Sequence, residues 1–176
     1  MIVFLDFEAS SLGKRSFPIE VGWAAEDGQE ETHLIRPAPG WDDWTEEAER
    51  IHGIPLARLQ AEGTPHDMVA RRVVERLSGH ALYASAPSWD GKWLSALLRA
   101  AGLPRHALRL RDTEDAQRDT ALALLGAERA AEAEAIIAAV REKAERDEPP
   151  AHRALDDARA ELARWREVRR RAEEMR

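Results

Sequence analysis

The chain contains no cysteine, which excludes disulfide bonds and thiolate chemistry. A metal ion would therefore be held by carboxylate, imidazole or water, a set of ligands that favours Mg²⁺ or Mn²⁺. The sequence also lacks any hydrophobic run approaching the roughly 20 residues that span a bilayer, and Met1–Leu5 is too short for the apolar part of a signal peptide. We therefore expect a cytoplasmic protein with no membrane partner.

Positive charge is in short supply, because 26 Lys and Arg face 33 Asp and Glu, for a formal net charge of −7. Such a chain lacks the broad positive field of a protein that binds nucleic acid irrespective of sequence. This does not exclude an enzyme that contacts phosphate groups through metal ions. With 176 residues, of which 44% are hydrophobic, the chain is long enough for a full core. We expect a single domain over residues 1–176.

The N-terminal part of the chain has the pattern of a β-meander. Ile2–Leu5 is continuously apolar, as in a strand buried on both faces, and this run stops at Asp6. Two more β-like runs follow over 19–25 and 31–36, with the turn signal Asp27-Gly28 between them. The simplest arrangement is an antiparallel meander of three strands, which the proline-rich segment after it closes.

Helix signals dominate the rest of the chain. Asp43 with Glu46 is typical of a capping box for a helix that ends at Gly53, and Thr64-Pro65 predicts the start of a second helix. The elements after them are a strand over 81–84, an amphipathic helix ending at Gly102, a strand over 108–110, a helical stretch over 116–148 bent or divided near Gly126, and a last helix from about Arg153. This order predicts an α/β fold with a mixed five-stranded sheet, the three-strand antiparallel meander plus two further strands, flanked by helices.

Two carboxylates lie at the end of the first predicted strand. Asp6 and Glu8 alternate with Phe7, so they point to the same side of an extended chain and can bind one cation together, while Phe7 points into the core. The triplet alone is a weak signal in an acidic chain, and a polar strand end that faces water explains it equally well. A second triplet of this kind occurs at 112–114. The position of Asp6 favours the first triplet, because open α/β sheets place ligand groups at the carboxyl ends of buried strands.

Three more residues are candidates for chemistry. His152 and Asp157 are five positions apart at the start of the last predicted helix, but Asp156 is an equally good partner for His152 on the same helical face. Spacing does not choose between the two acids. Asp90 lies between a strand and an apolar helix, where an Asp is most often an N-terminal cap. Taken one at a time, these residues are compatible with ordinary surface or capping roles.

Taken in chain order, the same residues resemble the DEDDh family of 3′-to-5′ exonucleases. That DnaQ-like group has a ribonuclease H-like fold and includes proofreading subunits, ribonuclease T and oligoribonuclease. The segments that carry the resemblance are Asp6-Phe7-Glu8-Ala9-Ser10-Ser11-Leu12, Pro18-Ile19-Glu20-Val21-Gly22, Ile51-His52-Gly53-Ile54, Asp90, and His152-Arg153-Ala154-Leu155-Asp156-Asp157-Ala158, which matches H-x-A-x-x-D-A. The resemblance selects Asp157 over Asp156. The chain departs from the family at Ser85-Ala86, where His-Asn is usual, and at Ala9 and Ser11, where Thr and Gly are usual.

The resemblance implies an enzyme that releases nucleoside 5′-monophosphates from the 3′ ends of single-stranded DNA or RNA. It implies two divalent cations, Mg²⁺ or Mn²⁺, and a two-metal-ion mechanism. The residues implied as metal ligands are Asp6, Glu8, Asp90 and Asp157. His152 would be the general base, since an imidazole accepts a proton readily at neutral pH. Ser10, Ser11 and Leu12 would contact the terminal nucleotide.

Two alternatives stay open on the sequence alone. The altered second motif allows a catalytically silent DnaQ-like fold that binds nucleic acid or protein, although all five catalytic positions are filled. The second half of the chain, rich in Ala, Glu and Arg, could instead form a helical interaction module. Sustained heptads are absent from it, and Pro149-Pro150 interrupts it.

Overall fold

A mixed β-sheet forms the centre of the computed structural model, which describes residues 1–147 and 149–176. Its six strands in the described residues are β1 (Ile2–Ala9), β2 (Pro18–Ala25), β3 (Glu30–Arg36), β4 (Thr64–Pro65), β5 (Ala81–Ala84) and β6 (Leu110–Asp112), in the order β4-β3-β2-β1-β5-β6. The first three strands pair antiparallel, and the other three run parallel to their neighbours. This confirms the predicted meander and mixed sheet, and adds the two-residue strand β4 at one edge.

Helices cover both faces of the sheet. Their bounds are α1 (Glu46–His52), α2 (Leu56–Glu62), α3 (His66–Leu77), α4 (Pro87–Ala100), α5 (Thr113–Leu125), α6 (Ala130–Asp147) and α7 (Ala154–Glu174), with a 3₁₀ turn at Ala127–Arg129 between α5 and α6. The predicted division near Gly126 is therefore correct, whereas the predicted helical position Glu148 lies outside the described residues. In the part of the chain that is described, no helix combines the length and apolar character needed to cross a membrane.

The alternation of side chains along β1 decides which helices pack on each face. Val3, Leu5 and Phe7 point to one face, where they form a core with α3 and α4. Phe4 points to the other face and packs with residues of α5 and α7. Because side chains alternate with period two, Asp6 and Glu8 share the face of Phe4 and lie under α7.

The first strand is longer than its apolar run. The run Ile2–Leu5 predicted a strand that stops before Asp6, but β1 continues to Ala9. The reason is that only one face becomes polar at Asp6. Phe7 and Ala9 continue the buried face, with 4% and 8% of their surface exposed. The two carboxylates therefore sit on regular strand backbone that the core holds from behind.

Three local predictions are wrong in detail. Thr45 caps α1 by accepting the Ala48 N–H at 3.3 Å, whereas the predicted cap, Asp43, accepts the Ser11 hydroxyl at 2.6 Å. Thr64–Pro65 pairs with β3 as a short strand. The helix α3 therefore begins at His66, whereas the prediction had Pro65 as its first residue. The last strand starts at Leu110 rather than at residue 108, and α2 was not predicted. For Asp43 and for Thr64–Pro65, a contact distant in the sequence outweighs the local signal.

Candidate metal centre

Three carboxylates converge at the carboxyl end of β1. One oxygen each from Asp6, Glu8 and Asp157 lies within 4.8 Å of the other two, and all three residues are partly buried. Oxygen ligands about 2.1 Å from one Mg²⁺ are at most about 4.2 Å apart. Small side-chain adjustments would therefore bring the three oxygens onto a single hard cation. Residues from β1 and from the first turn of α7 thus supply a ligand set that suits Mg²⁺ or Mn²⁺.

Asp90 approaches the same place from the opposite face of the sheet. It lies in the first turn of α4, is 2% exposed, and accepts the main-chain N–H of Phe7 at 3.2 Å. The strand β5 pairs with β1 only as far as Phe4, so Asp90 occupies the place of a ladder partner further along β1. Its charge raises the pKa of Asp6. Asp90 is therefore a neighbour of the three-carboxylate cluster without being one of its members.

Burial and mutual repulsion raise the pKa values of these acids. Burial is the largest cause for Asp6, whose pKa lies well above its usual range, and the charges of Asp90, Glu8 and Asp157 add to it. For Glu8, burial and then Asp157 raise the pKa to about 8, and burial raises the pKa of Asp90 to about 7. Crowded carboxylates resist ionisation unless a cation neutralises them. This is the electrostatic signature of a site that fits a divalent ion.

A further carboxylate, Glu161, lies one turn after Asp157 on α7. Its pKa is raised by burial, and the guanidinium of Arg164, 2.8 Å away, opposes that shift together with a hydrogen bond from Thr113. Glu161 also raises the pKa of Asp6. The sequence patterns considered above do not single out Glu161. The signal that was available is its spacing of four residues from Asp157, which places both side chains on one helical face.

His152 lies just before α7, in an unusual backbone conformation. It is exposed, and its φ of 53° puts it in the left-handed region, which residues other than glycine rarely adopt. The main-chain N–H of Ala151 donates to Oδ1 of Asp157 at 2.9 Å, which ties this segment to the metal-ligand candidate. The segment that carries His152 is therefore held in part by Asp157, and the imidazole is open to solvent.

A cavity of about 440 Å³ opens beside Glu8. Leu12 and Ile51 flank it with 73% and 53% of their surface exposed, which is unusual for large apolar side chains. Ser11 also lines the cavity, but its hydroxyl donates to Asp43 and accepts the Gly13 N–H at 2.9 Å. Two large apolar side chains are thus exposed at this cavity, and its serine hydroxyl is already engaged within the protein.

The neighbouring Ser10 has no exposed surface. Its hydroxyl accepts the Phe17 N–H at 3.0 Å, which holds the loop after β1 against the start of β2. His52 on the far wall of the cavity is 5% exposed, and its Nδ1 accepts the Ile54 N–H at 3.0 Å. Its Nε2 is buried and has no hydrogen-bond partner among the described residues. The polar groups at this cavity thus mostly shape its walls.

Ser85, which stands where the resemblance predicts histidine, lines a second cavity of about 320 Å³. Asp6 and Asp157 line the same cavity, together with Glu161 and Arg164. The acidic cluster therefore lies between two cavities, one bordered by the loop after β1 and one bordered by the end of β5. Open space therefore borders the carboxylates on two sides.

Solved structures of other proteins share the fold of this chain. No family model matches the sequence, and no curated protein matches it. Exonuclease I of E. coli in complex with single-stranded DNA, zinc-bound, has a TM-score of 0.69 and 16% identity over 97% of this chain and 40% of that one. Exonuclease I from Methylocaldum szegediense has a TM-score of 0.71 and 19% identity, again over 97% of this chain and 40% of the other.

A third structure, E. coli exonuclease I with a dT13 oligonucleotide, has a TM-score of 0.65 and 15% identity over 92% of this chain and 39% of that one. The chain thus spans about two fifths of the length of these neighbours. At such identities the likeness concerns the fold. The protein has the ribonuclease H-like fold found in exonuclease I, with an acidic cluster at the carboxyl end of its first strand.

Proposed function

We propose that this chain forms a single metal-dependent 3′-5′ exonuclease domain of the DEDDh, DnaQ-like type, acting on single-stranded DNA or RNA. The observation that carries the proposal is the convergence of Asp6, Glu8 and Asp157, from opposite ends of the sequence, within reach of one hard cation. The fold neighbours support it, since exonuclease I has been solved with dT13 and dA16 oligonucleotides.

The acidic groups divide into ligands and supports. Asp6, Glu8 and Asp157 would hold one cation, and Asp6 with the substrate phosphate would hold a second. When bound, such a pair of Mg²⁺ or Mn²⁺ ions lowers the pKa of the attacking water and stabilises charge on the leaving 3′ oxygen. Asp90 acts partly through water and through the Phe7 N–H, which fixes the backbone between Asp6 and Glu8.

His152 is the proposed general base. Its exposed imidazole takes the proton of the attacking water and passes it to solvent. The segment that carries His152 is bonded to Asp157 through the Ala151 N–H, so the base and a ligand share one anchored turn. The leaving group is the 3′ oxygen of the shortened strand, and the product is a nucleoside 5′-monophosphate.

The cavity beside Glu8 takes the terminal nucleotide. Leu12 and Ile51 offer apolar surface to its base, and such non-directional contact does not depend on which base is present. Ser11 lines the wall, and Ser10 supports the loop from behind. We therefore expect little preference among the four bases.

The proposal is tested with short single-stranded DNA and RNA oligomers labelled at the 5′ end, in Mn²⁺ or in EDTA. We expect a ladder of products shortened one nucleotide at a time from the 3′ end, with release of 5′-monophosphates, in Mn²⁺ alone. Asp157→Asn should abolish the ladder. Asp156→Asn is the matched control, because Asp156 is exposed and accepts from Arg159 at 3.0 Å.

Binding without cleavage of any DNA or RNA oligomer would instead favour the silent DnaQ-like fold. Cleavage that survives EDTA, or that persists equally in Asp6→Asn and Asp157→Asn, would contradict the metal-dependent mechanism.

A further inference from the structure

An ion pair between a buried glutamate and a half-buried arginine holds the first turn of α7 against β2. Glu20 of β2 is 1% exposed, and its two carboxylate oxygens accept from Arg153, the closest contact being 2.7 Å from Nη2 to Oε1. Oε2 also accepts the main-chain N–H of Ala154 at 3.1 Å. Glu20 therefore binds both a side chain and a free N–H at the start of the helix that carries Asp157.

Gly22 lets the same turn lie directly on the strand. A Cβ at this position would lie 2.3 Å from the nitrogen of Leu155 and 2.6 Å from the carbonyl carbon of Ala154. These are backbone atoms, which no side-chain adjustment can move aside. The distance between α7 and β2 is thus fixed by a glycine at one position and by an ion pair two residues earlier.

These two positions on β2 are the cross-strand neighbours of the metal-ligand candidates. In the antiparallel register, Glu20 lies opposite Glu8 and Gly22 lies opposite Asp6. The contacts that hold α7 on the sheet therefore lie beside Asp6 and Glu8, the two carboxylates that would share a cation with Asp157. A shift of the first turn of α7 would change the separation of Asp157 from Asp6 and Glu8 directly.

The positive charge of Arg153 offsets the repulsion that this strand register creates between Glu8 and Glu20. Like charges directly opposite one another on neighbouring strands repel, and Glu20 raises the pKa of Glu8 while Arg153 lowers it. Without the arginine, a second buried carboxylate would stand unneutralised next to the site.

We propose that Glu20 is a positioning residue of the metal centre, which through Arg153 and Ala154 sets the position of Asp157 and His152 relative to Asp6 and Glu8. The proposal deepens the proposed nuclease function and rests on it for its catalytic consequence. Its first test uses metal binding alone, measured by titration calorimetry with MnCl₂ and no nucleic acid.

Glu20→Gln keeps the shape of the side chain and one acceptor for Ala154, but loses the ion pair. We expect a Mn²⁺ dissociation constant raised by about 10-fold and a kcat lowered by about 10-fold, as is typical when a partner of a metal ligand is changed. KM for the oligonucleotide should stay within about two-fold, because the cavity beside Glu8 is untouched. A thermal melt of each variant without metal shows that the measurements are made on folded protein.

Arg159→Met is the matched control. Arg159 also joins α7 to the sheet through an ion pair, with Glu30 of β3, but that pair is exposed and lies further along the helix. The Arg159→Met variant should keep the Mn²⁺ affinity and the kcat of the wild-type protein. Equal effects of Arg159→Met and Glu20→Gln would overturn the proposal, because they would reflect general loosening of α7.

Arg153→Lys separates geometry from charge. Lysine keeps a cation near Glu8 but cannot make the two-point contact of the guanidinium. We expect it to resemble Glu20→Gln, and full wild-type behaviour would overturn the positioning role. A Glu20→Gln protein that melts earlier yet keeps its Mn²⁺ affinity and kcat would also overturn it. A wild-type protein that binds no Mn²⁺ would overturn the proposed function and this proposal together, whereas metal binding without cleavage would contradict the nuclease function alone.

Discussion

The carboxylate of Asp90 takes the place of a strand by accepting the Phe7 N–H at 3.2 Å, at a point of β1 that β5 no longer reaches. Asp90 thereby fixes the backbone between Asp6 and Glu8 and adds negative charge beside them. One side chain combines a structural contact, which any acceptor can make, with an electrostatic contribution that needs a carboxylate. Substitutions can separate the two.

Asp90→Asn should keep the fold and lose activity. The amide oxygen still accepts the Phe7 N–H, and removing a buried acid whose pKa burial has raised to about 7 relieves repulsion, so the melting temperature in EDTA should not fall. The cleavage rate should fall by at least about 100-fold. Asp90→Ala should additionally destabilise the protein by about 1–3 kcal/mol, the usual cost of an unsatisfied buried N–H. Thermal melts and initial rates measure both effects, and an active Asp90→Asn protein would contradict the assigned role.

Without metal, the protein should lose stability as the pH rises. The pKa of Glu8 is raised to about 8 and that of Asp90 to about 7, above their values in an unfolded chain, so the folded state binds more protons between about pH 4 and pH 8. Stability is then greatest below the unfolded pKa values and falls as the pH rises through the folded ones. We expect the melting temperature in EDTA to fall by at least about 3 °C between pH 5 and pH 8.5, the shift typical of about 1 kcal/mol in a domain of this size.

The control for this pH dependence is the pair Asp6→Asn and Asp156→Asn. Asp6→Asn removes a buried acid and should reduce the fall of the melting temperature with pH. Asp156→Asn removes an exposed acid and should leave that fall unchanged. A wild-type melting temperature that rises steadily over the same pH range would contradict the electrostatic account of the site.

The sequence predicts the residues whose roles depend on local spacing. The alternation in Asp6-Phe7-Glu8 predicted two carboxylates on one side and a buried aromatic on the other, and the structure has that arrangement. Spacing left Asp156 and Asp157 as equal candidates, and the resemblance selected Asp157. In the structure Asp156 pairs with Arg159 at the surface, while Asp157 faces the cluster.

Local spacing does not predict contacts between residues that are distant in the sequence. Glu20 and Arg153 are 133 positions apart, and neither residue alone indicates that the other neutralises it. Asp43 has the local pattern of a helix cap, but the hydroxyl of Ser11 binds it instead. These choices depend on which elements pack together, information that a local pattern does not contain.

Metal binding near neutral pH should release protons. Because the pKa of Glu8 is raised to about 8 and that of Asp90 to about 7, these carboxyls are partly protonated without a cation, and a divalent ion displaces the protons. Calorimetry with Mn²⁺ at pH 7, in buffers of different ionisation enthalpy, should therefore give different apparent enthalpies. At 100 times its dissociation constant, Mn²⁺ should also stabilise the fold by about 2.7 kcal/mol. Asp6→Asn should remove most of that stabilisation, and identical enthalpies in every buffer would contradict the proposed protonation states.

The exposed apolar pair at the cavity mouth should govern substrate binding rather than chemistry. Leu12→Ser and Ile51→Ser remove apolar surface offered to the terminal base, so KM should rise by about 5-fold or more, as expected when about 1 kcal/mol of apolar contact is lost. The kcat should stay within about two-fold, because contacts made equally in the ground and transition states alter KM alone. Met68 on α3, 57% exposed and absent from the cavity lining, provides the control Met68→Ser, which should change neither constant. Steady-state kinetics on a single-stranded oligomer measure both constants. A fall in kcat at constant KM would contradict the prediction, because it would assign these residues to the chemical step rather than to substrate binding.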